Sequence, residues 1–250
     1  MPVIHPFIMP TTHADPSWLD YFSGGVPTGE YFRMTLDDLS KTVSQSAQRA
    51  SRVNEVCFIG LVSYFEAFCK DHFASILNIE PTLLAELRDN GQDTHIDPAR
   101  LLQFHDNWII RLGFLVAEKF DFGTAQKINA LYGALLKITP FAKDEAKYYE
   151  GILRDRNLFV HHGGTLTLTY SSQNNVSAEK KLSRPFFDSL VVTPAYFDER
   201  LEFIKSVARK ILKATHSALH DHIDKSGISY PPERLKALDA FLWWDDGAEI

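Results

Sequence analysis

The sequence predicts a mainly helical bundle with one small β-like excursion. Three observations carry that expectation. Apolar residues recur at helical spacing over long stretches, three cap-proline pairs (Asp97-Pro98, Thr139-Pro140 and Thr193-Pro194) mark helix starts, and only one stretch alternates with the period of a strand.

Residues 1–34 hold Pro2, Pro6, Pro10, Pro16 and Pro27 with Gly24-Gly25 and Gly29, which break any regular period, so an extended N-terminal arm is expected. Its Phe7, Ile8, Trp18, Tyr21 and Phe22 are too apolar for a free tail and should pack over the core or a partner chain. Thr35 with Asp38 resembles a helix start. Apolar positions then recur from Leu36 to Ile76, as in one very long helix or two collinear ones ending before Pro81. The half from Phe58 to Leu77 is apolar on more than one face, which implies burial on two sides.

Pro81 opens a short helix to about Leu87, stopped by Asn90-Gly91; Asp97-Pro98 starts one to about Phe120; Ala125 to Lys137 forms another. Thr139-Pro140 opens the helix from about Phe141 to His162, which Gly163-Gly164 terminates. Thr165 to Tyr170 alternates and is β-branched, Asn174-Asn175 reads as a turn, and Ser189 to Val192 reads as a returning strand, giving a small hairpin or ordered loop over 165–192. Thr193-Pro194 starts a long amphipathic helix to about Ile223 with Gly227 as its stop, and Pro231-Pro232 leads into a last short helix. The expected division is therefore an arm over 1–34, a helical domain over 35–224 and a tail over 225–250.

At 250 residues the chain can bury a core without disulfides. A net charge of -6 argues against a broadly basic surface, so any nucleic-acid site must be a local patch. The two cysteines, Cys57 and Cys69, lie twelve apart on one predicted helix, which disfavours a disulfide or a zinc pair and fits a reducing compartment. Residues 1–6 lack a basic n-region and an apolar h-region, and no apolar run approaches membrane-spanning length, so a cytoplasmic protein with no membrane contact is expected.

The chemistry concentrates in Leu153-Arg154-Asp155-Arg156-Asn157-Leu158-Phe159-Val160-His161-His162-Gly163-Gly164, where two arginines, an amide and two histidines occupy the end of a glycine-stopped helix. The Arg-x4-His spacing alone is weak, since Arg100 to His105 repeats it; the asparagine directly after Arg156 and the glycine stop make it specific.

Arg156-Asn157-x-x-x-His161 in this setting resembles the signature of HEPN domains, all-α modules that bind or process nucleic acid in higher eukaryotes and prokaryotes. Ser63-Tyr64-Phe65-Glu66-Ala67-Phe68 with Asp71 resembles the long first helix of that fold. The resemblance spans about 36–224 and implies a four- to five-helix bundle that dimerises so that two motif copies line one cleft. In catalytic members it implies metal-independent cleavage of RNA, with no cofactor.

The residues suit that chemistry. Attack by a ribose 2′-hydroxyl needs a group to move protons and a cation for the charge on phosphorus. His161 fits the first role and Arg156 the second. Five residues apart, the two project roughly 140° from one another, so a site that uses both is expected to need two chains. Asn157 and Arg154 share the face of His161 and can support it, and His162 is an adjacent proton donor. The competing expectation is that Arg156 pairs with an acid such as Glu66 while His161 caps the helix end. The partners implied are RNA, a second copy of the chain and a neutralising or regulatory protein, in a toxin or an antiviral effector. A catalytically inactive module that binds nucleic acid, a nucleotide or a protein is the alternative.

Elsewhere, His216 and His220 lie four apart with His222 beyond, but no Glu follows His216 in an HExxH pattern, so a solvated face and no metal are expected. Arg209, Lys210 and Lys213 read as a solvated stripe, and Trp243-Trp244 as residues that pack on the bundle.

Overall fold

A computed structural model describes residues 16–46, 51–104, 108–173, 184–227 and 229–244. The fold is an all-α bundle. Its helices are α1 (Thr28–Gln45), α2 (Arg52–Ile79), α3 (Leu84–Asp89), α4 (Pro98–Leu102), α5 (Leu112–Ala117), α6 (Ala125–Leu136), α7 (Lys143–His162), α8 (Leu168–Gln173), α9 (Pro194–Ser226) and α10 (Pro232–Asp239). Among the described residues no helix is long and apolar enough to cross a membrane.

α2 is the central element, as its apolar second half predicts: Phe58, Leu61, Val62, Phe65, Phe68, Cys69 and Phe73 are all buried in one core. It is not collinear with α1. Phe32 of α1 meets Phe65 and Phe68, a side chain at Gly60 would meet Leu39, and Ser46 donates to Asn54, so the two helices run antiparallel. The first helix also begins at Thr28 rather than Thr35, so 28–34 are helical and not part of an arm. The reason is burial: Thr28 and Phe32 extend the apolar stripe of Leu36 backwards onto α2, outweighing the Pro27 and Gly29 that read as breakers.

α7 lies antiparallel to α2, with Tyr149 against Phe65 and Phe159 against Phe58. α9 runs antiparallel to α7: Tyr148 packs on Phe203, while Tyr196, two turns before Phe203, reaches Asp155, two turns after Tyr148. Thr193 caps α9 by accepting from the Tyr196 amide, as its cap-proline pair predicts. Asp97 likewise caps α4, accepting from the Ala99 amide, while the third pair holds less well. Thr139-Pro140 precedes the start of α7 by a few residues, because Asn129 clasps both the N–H and the carbonyl of Phe141. The helix expected from Pro98 to Phe120 is broken into α4, a single 3-10 turn at Ile109–Arg111 and α5, since Gly113 is drawn onto the backbone of α2 and its N–H donates to Asn78 at 2.8 Å.

The expected strands are absent among the described residues. One antiparallel bridge, Thr165 to Ser189, is flanked by the Leu166 N–H to the Asp188 carbonyl and the Leu190 N–H to the Gly164 carbonyl; the chain then turns into α8. Thr167 starts that turn by accepting from the Tyr170 amide, and of the alternating apolar residues Leu166 is buried while Leu168 is exposed. A strand pattern with one buried position has no sheet to join. Asn174-Asn175 lies outside the described residues.

Both ends of the described chain cover the same end of the bundle. Trp18 packs on Trp243 at 4.9 Å, Phe22 on Phe241, and Trp244 is buried against Phe32 and Phe68, so the paired tryptophans pack rather than project. Arg209 lies over Trp244 and Lys210 pairs with Glu145, which takes both out of a free basic stripe. Cys57 and Cys69 are free and buried.

Beneath this cover His72 is fully enclosed, with Nδ1 at 3.1 Å from the Thr28 hydroxyl and its ring against Phe68, Tyr132 and Phe241. Burial lowers its pKa from 6.5 to about 3. Between those values the unfolded chain binds a proton that the folded chain refuses, so His72 leaves stability intact above pH 6.5 and removes it as pH falls through that window. Urea unfolding should show a loss of about 2 kcal/mol between pH 7 and pH 5 that is missing in His72→Leu; equal pH slopes in the two proteins would refute this.

Candidate functional site

The motif occupies the last turns of α7, and the terminus is built as its glycines predict. Gly163 caps the helix at φ +58, and its N–H and that of Gly164 donate back to Phe159 and Leu158. Gly164, at φ +86, also admits no side chain, since a Cβ there would lie 2.9 Å from the Phe159 ring and 3.2 Å from the Leu190 carbonyl. The start of α2 closes on this end: the Arg52 guanidinium stands 3.5 Å from the Gly163 carbonyl.

Two neighbouring clefts open along the terminus. One, of about 330 Å³, is lined by Arg154, Asn157, His161 and His162 on the α7 side and by Thr167, Thr169 and Tyr170 on the other. The second, of about 590 Å³, is lined by Arg154, Arg156 and Asn157 with Gly123, Thr124 and Glu150. Arg154 and Asn157 line both clefts, so they stand between the histidines and Arg156. Asn157, His161 and His162 are exposed, as groups that meet a ligand must be.

Arg156 and His161 are not brought into one cleft, in keeping with the roughly 140° between their positions on a helix. Instead Arg156 Nη2 donates to Glu66 Oε1 at 2.5 Å, the competing expectation for this residue. The pair is about a quarter exposed, 22% for Arg156 and 27% for Glu66, so one edge of the guanidinium is held and the residue still borders the second cleft. Burial pushes the Glu66 carboxyl above its ordinary value against the pull of Arg156, and nearby Asp121 adds to the rise.

A second polar cluster, in which Tyr148, Tyr196, Glu199 and Arg200 carry no mark in the sequence, holds the walls together. Asp155 accepts from Tyr170 Oη at 2.6 Å and from Tyr196 Oη, tying α8 and α9 to α7 through one carboxylate. Arg200 lies 3.5 Å above the Tyr196 ring and donates to Glu199 at 2.7 Å. Burial raises both phenols well above the ordinary tyrosine value, with the adjacent Asp155 charge and hydrogen bond adding to it, so each stays a proton donor to Asp155 at neutral pH. Tyr148, which donates to Glu199, is pushed up to about 12, chiefly by burial. No local signal marks Tyr196 or Arg200, which lie some forty residues from Asp155.

Of the repeated Arg-x4-His spacing only the arginine lies among the described residues. Arg100 faces Glu118 at 3.5 Å on the short α4, and His105 lies outside them. What the α7 terminus can do chemically is bind an anion beside two exposed imidazoles, with an amide and an arginine between them and a second, acid-held guanidinium. A comparison with known proteins finds no family model that matches this chain, and no curated protein or solved structure that matches it.

Proposed function

We propose that the protein is a metal-independent endoribonuclease of the HEPN type, cutting RNA at a composite site formed by two copies of the chain. The observation that carries this reading is the exposed cleft at the α7 terminus where Arg154, Asn157, His161 and His162 converge, on an all-α bundle and at a glycine-capped helix end. His161 takes the proton of the ribose 2′-hydroxyl as its oxygen attacks phosphorus, and a histidine returns a proton to the departing 5′-oxygen. The P–O5′ bond breaks, leaving a 2′,3′-cyclic phosphate and a 5′-hydroxyl. Arg156, oriented by Glu66, offers its outer N–H groups to the phosphate oxygens, with Arg154 adding charge and Asn157 a hydrogen bond. The nucleophile is the substrate's own hydroxyl, so no cofactor enters.

A second chain supplies the arginine that the first cannot point at its own histidine. Apolar residues suited to such a contact flank the terminus: Val53 and Val56 are exposed within the first turns of α2, and Val160 is exposed on α7. On this reading the protein acts in the cytoplasm as a toxin or antiviral effector held in check by a neutralising protein. One observation favours the alternative of an inactive HEPN module that binds nucleic acid, a nucleotide or a protein: the guanidinium of Arg156 is already engaged by Glu66.

Incubating the purified protein with total RNA in EDTA separates the two readings. Fragments bearing 5′-hydroxyl ends are expected; RNA that is bound but stays intact under every condition would replace the first reading with the second.

A further inference from the structure

α9 and α10 bring together three side chains that are remote from the α7 clefts in sequence and belong to none of their walls. His216 and His220, one turn apart on α9, point Nε2 atoms at each other across 3.1 Å. Asp239, the last residue of α10, places Oδ1 at 3.2 Å from the first and 3.3 Å from the second. The sequence shows the histidine pair but not its carboxylate, which the break between α9 and α10 hides.

This triangle is not satisfied by protons. The Asp239 carboxylate has none to give, so each of its two edges needs an Nε2–H, whereas the edge between the rings needs one Nε2 bare. Any assignment of protons on two neutral rings leaves one edge unmade. A cation meets all three lone pairs at once, and the spacing suits one: ligands of a tetrahedral zinc ion at about 2.05 Å stand about 3.3 Å from one another.

We propose that His216, His220 and Asp239 form a site for a divalent transition metal, zinc in the first instance, bound by two imidazole nitrogens and one carboxylate oxygen. The half-buried histidines and the exposed carboxylate leave the fourth position to water. Two imidazoles select against magnesium and calcium, which take oxygen ligands. The ion clasps α10 to α9, and through α10 it fastens Phe241 and Trp244, which close the bundle over His72 and Phe32. It has no part in the proposed RNA chemistry, and because EDTA empties it, cleavage in chelator is measured well below the melting temperature of the stripped protein.

The test uses the full chain stripped with EDTA and titrated with zinc sulfate by calorimetry and thermal melting. One zinc per chain is expected, with a melting temperature raised by about 5–10 °C at a hundredfold excess over Kd. Cobalt(II) should give the strong visible absorption of four-coordinate geometry. Asp239→Asn and His220→Gln should each weaken zinc at least ~10-fold and so cut the melting shift at that zinc concentration to about half or less, whereas His161→Ala should leave both unchanged. The site is refuted if zinc binds His220→Gln as tightly as it binds the wild type, if no saturable one-to-one binding occurs below about millimolar, or if magnesium produces the same shift.

Discussion

His161→Ala is expected to slow RNA cleavage by about 10²–10⁴-fold while leaving the protein folded. The magnitude is that of a lost general acid–base group. The retained fold follows from the place of the residue: the His161 side chain is exposed in the last turn of α7, where truncating it to alanine removes nothing from the core. His162→Ala is expected to cost less than about tenfold, because His161 alone shares its helix face with Asn157 and Arg154. Equal losses in the two variants would make the histidines interchangeable, and a larger loss in His162→Ala would transfer the role to it. Initial rates on a labelled single-stranded RNA, with circular dichroism as the check on folding, distinguish these outcomes.

Gly113→Ala should have the largest effect on stability. The Cβ would fall 1.9 Å from the Ala74 carbonyl oxygen and 2.8 Å from Asn78 Oδ1, both on the buried side of α2. α5 would have to move away, losing the bond from the Gly113 N–H to Asn78, whose amide also donates to the Tyr21 carbonyl at 3.1 Å. Overpacking at about 1–3 kcal/mol and an unsatisfied buried amide at about 1–3 kcal/mol outweigh the roughly 1 kcal/mol that alanine gains over glycine in a helix. A net loss of about 3 kcal/mol lowers the melting temperature by about 10 °C. Gly60→Ala provides the opposite sign: the atoms nearest its Cβ would be Leu39 and Tyr64 side chains at 3.7–3.9 Å, ordinary van der Waals contact, so the helical preference prevails and stability rises slightly. Matching melting temperatures for the two variants would contradict the close approach of α5 to α2.

Most of the helices were legible because their ends are local chemistry. The caps at Thr193 and Asp97, the glycine stops at Gly163 and Gly227 and the apolar period of α2 involve residues within a few positions of one another. The features that escaped depend on contacts between remote segments. Thr28 joins α1 because His72 and the core of α2 receive it, and the helix after Pro98 breaks where Gly113 is pulled onto Ala74. Thr165 to Tyr170 alternates like a strand yet has no sheet to join: Thr165 makes a single bridge, and the chain turns helical from Leu168, where the Tyr170 phenol is held by Asp155. At the candidate site the arrangement of α7 was readable, including the separation of Arg156 from His161. The second anchor of the site, Tyr196 with Arg200, was not, since nothing near either residue in sequence points to Asp155.

The composite-site claim is tested most directly by mixing Arg156→Ala and His161→Ala proteins under conditions that allow subunits to exchange, and measuring RNA cleavage in chelator. Each variant alone should be slowed at least ~100-fold. The mixture should regain on the order of a tenth or more of the wild-type rate, because about half of randomly reassorted dimers carry one intact arginine and one intact histidine. A mixture as inactive as its components, with heterodimers demonstrated by native mass spectrometry, would contradict a site shared between two chains.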